Sequence, residues 1–221
     1  MNQQQLWASA AMPIPDLTGS DARGGFCHHR PDDLAALVFA VPIQAEPHTG
    51  AAPVRVALMA DLFIPAAGAR NLAAEPFAGW IRDGWLTVTP GTTIDEELIF
   101  ARIAGRQQSF FQVSSIAMQP HCDREFGCRL QENLGVSVFW FARTIGRFHE
   151  PTRKLMLLLE ERRILVGANP IFAWAASGLI LKYNEQGHVM PDVEQSAHGV
   201  GAIVAAIMAI GELMTPGPSV I

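Results

Sequence analysis

Cys27, His28 and His29 stand together near the start of the chain, His121, Cys122 and Asp123 stand together at its middle, and His198 precedes a long apolar run. Imidazole and thiolate suit zinc or another borderline metal, whereas Mg²⁺ takes hard oxygen ligands. A candidate transition-metal set is Cys27, His29, His121 and His198. Along a strand, His29 shares a face with Cys27, and His121 shares one with Gln119. Along a helix, His198 lies one turn before Gly201. The pattern matches no established zinc spacing. Cys27 with His121 is also the pairing of a thiol nucleophile with a base, which requires surroundings that stabilise the thiolate. Polar side chains simply solvated in a cleft are the plainer reading of the same residues.

A second group is basic: Arg143, Arg147, His149, Arg153 and Lys154. It reads either as a set of contacts to a phosphate backbone, which would show as salt-dependent binding, or as an ordinary solvated loop and helix start. Asp32 and Asp33 read either as surviving metal ligands or, after Pro31, as a turn, the commoner role of such a pair. Asp61 reads as a strand-end charge, and Asp95, Asp192 and Glu194 as acids near helix starts that favour the helix dipole. Trp80, Trp85, Trp140 and Trp174 have apolar neighbours and read as core or rim aromatics rather than base-stacking platforms.

Bulk properties limit what these residues can serve. A chain of 221 residues with 49% apolar residues supports one domain with a well-buried core. Charged residues make up 17% and the net charge is −5, so no global basic field draws the protein to nucleic acid or to an anionic membrane. Three cysteines and an N-terminus with neither a basic start nor an apolar core predict a reducing, cytoplasmic setting. The apolar run from Gly199 to Leu213 is too short to span a bilayer and reads as a buried helix, so no membrane partner is expected. The sequence has no Gly-x-x-x-x-Gly-Lys-Ser/Thr loop to cradle a nucleotide triphosphate.

The elements that position these residues follow from pattern. Residues 1–22 carry Pro13, Pro15, Gly19 and Ser20 and read as an N-terminal arm or linker; 23–214 form the folded domain and 215–221 a C-terminal tail. A short strand at Gly25–His29 precedes two apolar strands, Leu34–Ile43 and Val54–Ile64. A helix is predicted around Pro76–Asp83, a turn at Thr89–Gly91, and a helix over Ile94–Gln107 opened by a capping box of Thr93 and Glu96. Strand Phe111–Met118, helix Asp123–Leu134 and strand Val136–Phe141 follow. Pro151 marks a helix start, Asn169–Pro170 opens a short helix, Leu179–Gly187 suggests a hairpin, and a helix over Ser196–Met214 closes the chain. Alternating strands and helices favour an α/β sheet.

From about Gly24 to Met214 the chain resembles the C-terminal nuclease domain of the large terminase subunit of tailed bacteriophages, the motor that packages DNA and cuts the concatemer. Phe77, Trp80, Gly84-Trp85-Leu86-Thr87, Thr89-Pro90-Gly91 and Ile94-Asp95 carry part of the resemblance. Asn169-Pro170, Trp174 to Ser177, Pro191-Asp192, Ser196 and the helix Ile203 to Gly211 carry the rest. The resemblance implies a ribonuclease-H-like fold, a mixed central sheet flanked by helices in a single domain. It also implies endonuclease chemistry with Mg or Mn held by acids on the first strand, at the end of the fourth and on the last helix. By register with Asp33-Leu34-Ala35-Ala36-Leu37, with Pro120 and with Ile203-Val204-Ala205, those acid positions fall at Cys27, Gln119 and Gly201.

None of the three is a carboxylate, so the expected site lacks the oxygen charge that two divalent cations require. The resemblance therefore implies an endonuclease domain impaired or inactive in cleavage, a pseudoenzyme, with DNA, a separate terminase ATPase chain or a portal as partners in a bacterial host cell. Arg143, Arg147, Arg153 and Lys154 are the expected DNA contacts. The competing reading is a non-catalytic DNA- or partner-binding module or prophage remnant, with zinc or another transition metal at Cys27, His29, His121 and His198.

Overall fold

Ala35–Ile43 is apolar on both of its faces, as a strand must be when helices cover a sheet on each side. In the structure, a computed structural model, it is the central strand. The structure describes residues 3–28, 34–43, 55–69, 76–120, 122, 124–196 and 199–215. The strands are β1 (Asp21–His28), β2 (Ala35–Ile43), β3 (Arg55–Pro65), β4 (Leu86–Thr89), β5 (Gln112–Met118), β6 (Ser137–Trp140), β7 (Ile164–Leu165), β8 (Leu181–Tyr183) and β9 (Val189–Pro191). The helices are α1 (Gln3–Ser9), α2 (Ala66–Ala69), α3 (Phe77–Arg82), α4 (Glu96–Ser109), α5 (Arg124–Leu134), α6 (Ile145–Glu160), α7 (Ile171–Ser177) and α8 (Gly201–Met214).

The main sheet runs β4-β3-β2-β1-β5-β6, with β7 joined to β3, while β8 and β9 form a separate hairpin. β1, β2 and β3 form an antiparallel meander. β5 lies parallel to β1, and β6 parallel to β5. This is the mixed central sheet flanked by helices that was expected.

Each face of the sheet has its own core. Ala36, Val38 and Ala40 on β2 share one with Cys27 and with α6, α7 and α8, and Leu37, Phe39 and Val41 share the other with Ile99 and Ile103 of α4 and Phe126 and Leu130 of α5. Each such large apolar side chain contributes about 1.5–3 kcal/mol on burial. The small residues lie where α8 approaches. A Cβ on Gly25 would lie 2.0 Å from the Ala205 carbonyl oxygen, so the helix backbone rests directly on β1. α8 is buried from Ala202 to Glu212, as a helix enclosed by a sheet and other helices should be.

Local details depart from the sequence expectations in four places. α4 is capped by Asp95, whose side chain accepts from the Glu97 N–H, and not by a Thr93–Glu96 box. An acid one residue before Glu96 takes the N-cap and leaves Thr93 outside the helix; the Thr93 carbonyl accepts instead from the Thr89 hydroxyl. α6 starts at Ile145 with Thr144 as its cap, so Pro151 sits inside the helix rather than at its start. The first two helical turns therefore carry Arg147 and His149, which were expected in a loop. α8 begins at Gly201, later than Ser196, because Gly199 and Val200 are not helical. Finally, Trp7 of the N-terminal segment is buried and stacks on Phe172 at 4.9 Å between ring centroids, which joins α1 to the core beside α7.

Candidate active site

Parallel pairing of β1 with β5 sets Phe26 beside Met118, so Cys27 and Gln119 meet where the two strands end. The Cys27 thiol lies 3.8 Å from Gln119 Oε1, and both side chains are buried. α8 starts directly over this pair: a Cβ on Gly201 would lie 3.7 Å from Ala36 Cβ, 3.9 Å from the Cys27 carbonyl oxygen and 4.0 Å from that of Leu34. The three positions picked out by register therefore converge at one place. An aromatic cluster holds the approach to α8. Trp174 packs edge-on against Trp80 at 5.2 Å and Phe77 at 5.4 Å, and a Cβ on Gly199 would lie 3.6 Å from the Trp174 ring and 3.0 Å from Leu34 Cδ1.

The electrostatics of this junction are those of a closed core. Burial pushes the Cys27 thiol up to about 12, with negative charge on Cys122 adding to the shift and Arg143 opposing it. Cys122, whose backbone N–H donates to the Gln119 carbonyl, is likewise pushed up to about 12 by burial. Both are protonated at neutral pH, the reverse of what a thiolate ligand or nucleophile needs. Arg143, a charged group near Cys27, is positive; it pairs loosely with Glu194 at 3.9 Å.

A pair of Mg²⁺ or Mn²⁺ ions does not fit these residues. A protonated thiol, a neutral amide and a glycine give neither the oxygen ligands nor the negative charge that hard cations demand. Among the described residues no group of three or more His, Cys, Asp or Glu side chains is arranged to hold a metal. Of the transition-metal set only Cys27 is described; His29, His121 and His198 lie outside the described residues, as do Asp32, Asp33 and Asp123.

The basic residues lie along the segment after β6 and along α6. Arg147 lies over the Phe141 ring at 4.9 Å, and Arg153 pairs with Glu150 at 3.8 Å. His149 Nδ1 accepts from the Val189 N–H, and its ring stacks on His188. Trp80 is buried, while Trp140 is partly exposed with Arg124 over its face.

Three acids have roles that the sequence reading placed differently or did not see. Asp61 is not a strand-end charge: it is buried within β3, where it accepts from Arg102 at 2.6 Å and Arg106 at 2.9 Å. An apolar strand with one acid, facing a helix with arginines four residues apart, was the available signal. Asp192 is buried at the end of β9 and accepts from the Glu194 and Gln195 N–H groups. Glu212, near the end of α8, accepts from the Ser115 hydroxyl at 3.1 Å inside the core. Among the described residues no helix is long and apolar enough to cross a membrane.

Comparison with known proteins agrees with this geometry. A family profile described as terminase large subunit, endonuclease domain, matches residues 1–216. The large terminase of HK97 bacteriophage superposes with a TM-score of 0.80 at 20% identity, over 96% of this chain and 43% of that one. The large terminase nuclease of thermophilic phage G20c with bound magnesium superposes with a TM-score of 0.53 at 9% identity, over 96% and 97% of the two chains. The same nuclease with bound cobalt gives 0.53 at 8%, with the same coverage. These likenesses show a shared fold, and the chain spans less than half the length of the HK97 protein. No curated protein gave a significant match.

Proposed function

Because the chain belongs to the terminase large subunit endonuclease-domain family, we propose that it serves a bacteriophage DNA-packaging assembly as a nuclease-fold domain that does not cut. One observation carries this reading: Cys27, Gln119 and Gly201 meet at one junction and offer it no carboxylate. Two-metal hydrolysis of a phosphodiester needs cations held on anionic oxygen. Here the buried groups are neutral and the nearby charge of Arg143 repels cations. What remains is a rigid sheet and helix framework able to hold DNA or a partner chain.

In this reading the partners are DNA and the ATPase chain or portal of the packaging machine, in the cytoplasm of a bacterial host. Arg143, Arg147, Arg153 and Lys154 supply the backbone contacts. The exposed Arg153 side chain and the weak pairing of Arg143 leave both free to exchange their acids for phosphate. A prophage remnant with the same fold would bind neither DNA nor such a partner.

A nicking assay on supercoiled plasmid with Mg²⁺ or Mn²⁺ tests the proposal. No metal-dependent cleavage above the buffer control is expected, together with DNA retention that weakens as salt rises. Cleavage that EDTA stops and that Asp33→Asn or His121→Ala abolishes would show a working site and overturn it.

A further inference from the structure

On the face of the sheet opposite Cys27 and Gly201, α4 leaves an open groove of about 430 Å³ against β3 and β4. Its walls are Phe63, Thr87, Arg102, Arg106 and Phe110, and the small residues Ala101 and Gly105, each directly before one of the arginines, complete it. Asp61 holds both guanidinium groups. Its Oδ1 accepts from Arg102 at 2.6 Å and Arg106 at 2.9 Å, and its Oδ2 accepts from Arg106 at 3.0 and 3.3 Å. Arg102 also donates to the Thr87 hydroxyl at 3.3 Å.

Three features exceed what an internal ion pair requires. Two cations face one carboxylate, which leaves one positive charge in excess and several guanidinium N–H groups uncommitted. Phe110, 46% exposed, stands at the rim with the Arg106 guanidinium 5.4 Å from its ring centre, so a flat apolar face adjoins the charge. Gly105 lies inside α4, where glycine weakens a helix relative to alanine, yet among the described residues no atom beyond its own stretch of helix comes within 4 Å of the position its Cβ would take. Gly105 thus leaves the helix surface open where it lines the groove.

We propose that this groove binds a nucleotide, with the phosphate on Arg102 and Arg106 and the base against Phe110. Asp61 fixes the two guanidinium planes in advance, so little side-chain freedom is lost when an anion arrives. A planar base gains by stacking on the exposed ring, and the groove falls within the size range of small-molecule pockets. The proposal does not rest on the reading of the Cys27 junction. The nucleotide is either free or one unit of a single strand, since both present the same phosphate and base.

The test titrates the full chain with dTMP and inorganic phosphate by calorimetry, and with a labelled oligothymidylate by fluorescence anisotropy. dTMP is expected to bind more tightly than inorganic phosphate, with an affinity that falls as salt rises. Arg102→Gln should weaken dTMP by roughly tenfold through loss of a charged donor. Phe110→Ala should bring dTMP down to the level of inorganic phosphate. Gly105→Leu, which fills the groove without changing charge, should remove binding. Thermal melts check folding. Because Phe110 is partly exposed and Gly105 faces open space, those two variants decide the matter even if Arg102→Gln is unstable. A response in the oligothymidylate but not in dTMP assigns the site to a strand, and a response in dTMP alone to a free nucleotide. Gly105→Leu and Phe110→Ala binding both probes like the unaltered chain would overturn the proposal, as would failure of both probes to bind.

Discussion

Cys27 Sγ and Gln119 Oε1 face each other at 3.8 Å across the ends of two parallel strands, each the other's polar neighbour in a buried junction. A thiol and an amide can satisfy one another in a core at little cost, whereas carboxylates at the same two positions would repel unless cations lay between them. The contact between the two side chains is thus stable as a neutral one.

The thiols should reveal this directly. Cys27 and Cys122 are buried with values pushed up to about 12, and Cys128 is exposed. At pH 8 the thiolate fraction of the buried pair is about one part in ten thousand, and reaction requires thiolate. Ellman's reagent should therefore modify Cys128 in the native protein, and the other two only once denaturant unfolds it. Modification of Cys27 in the native state within tenfold of the Cys128 rate would refute the closed junction.

Restoring the acids should restore cation binding without any change of fold. Gly201 has ordinary contact distance to Ala36 and Cys27, so an aspartate there has room to begin. The combined variant Cys27→Asp, Gln119→Asp and Gly201→Asp should melt below the unaltered chain in EDTA. It should then gain about 2–3 kcal/mol when free Mn²⁺ exceeds its dissociation constant by about a hundredfold. For a domain of this size that is a rise in Tm of about 5–10 °C. Differential scanning fluorimetry reads it, and an equal Mn²⁺ response in the unaltered chain would show that a cation site already exists.

The larger elements were legible because their patterns are long. β2 is a continuous apolar run, and α8 is apolar but for Glu212, so their approximate places follow from composition alone. β4 and β7 were not legible: they have four and two residues, too few for any period to show, and they exist because β3 offers its edge. Pro151 misled for a physical reason. Proline favours the first helical turn, but here it sits inside α6, where its ring packs against the surface that Gly211 leaves, 3.1 Å from the position of a Cβ there. Trp7 was hidden because Pro13 and Pro15 after it suggest a free arm, while its ring stacks on a residue far along the chain. At the junction, the positions Cys27, Gln119 and Gly201 came from the family resemblance, and what brings them together is the pairing of β1 with β5 beneath the start of α8. For Asp61 with Arg102 and Arg106 the sequence offers only a lone acid in an apolar strand and two arginines four residues apart; the pairing itself depends on which side of α4 meets the sheet.

Gly25→Ala should test how α8 is seated. The added Cβ would lie 2.0 Å from the Ala205 carbonyl oxygen and 3.0 Å from the Ala209 nitrogen, and neither is a side chain that can swing aside. The helix must lift from β1, with a loss of about 3 kcal/mol or more. Gly105→Ala, also in the fold but facing open space, should instead stabilise by up to about 1 kcal/mol. Urea unfolding measures both, and similar midpoints for the two variants would rule out direct backbone contact between α8 and the sheet.

Glu212 gives the fold a pH dependence whose sign can be worked out. Burial raises its carboxyl above the ordinary 4.5, while the Ser115 hydroxyl and the charges of Arg147 and Arg23 oppose the shift without cancelling it. A folded value above the unfolded one means that the folded state holds the proton more firmly. The contribution to stability is then fully present below pH 4.5 and is lost as pH rises through the raised folded value. Glu212→Gln keeps an acceptor for Ser115 and removes the charge. Relative to the unaltered chain, the glutamine variant should therefore gain stability steadily from pH 4 towards neutrality, and the two should converge in acid. Urea midpoints measured across that range read the difference directly. A gap that narrows as pH rises would mean that the arginines outweigh burial and lower the Glu212 carboxyl.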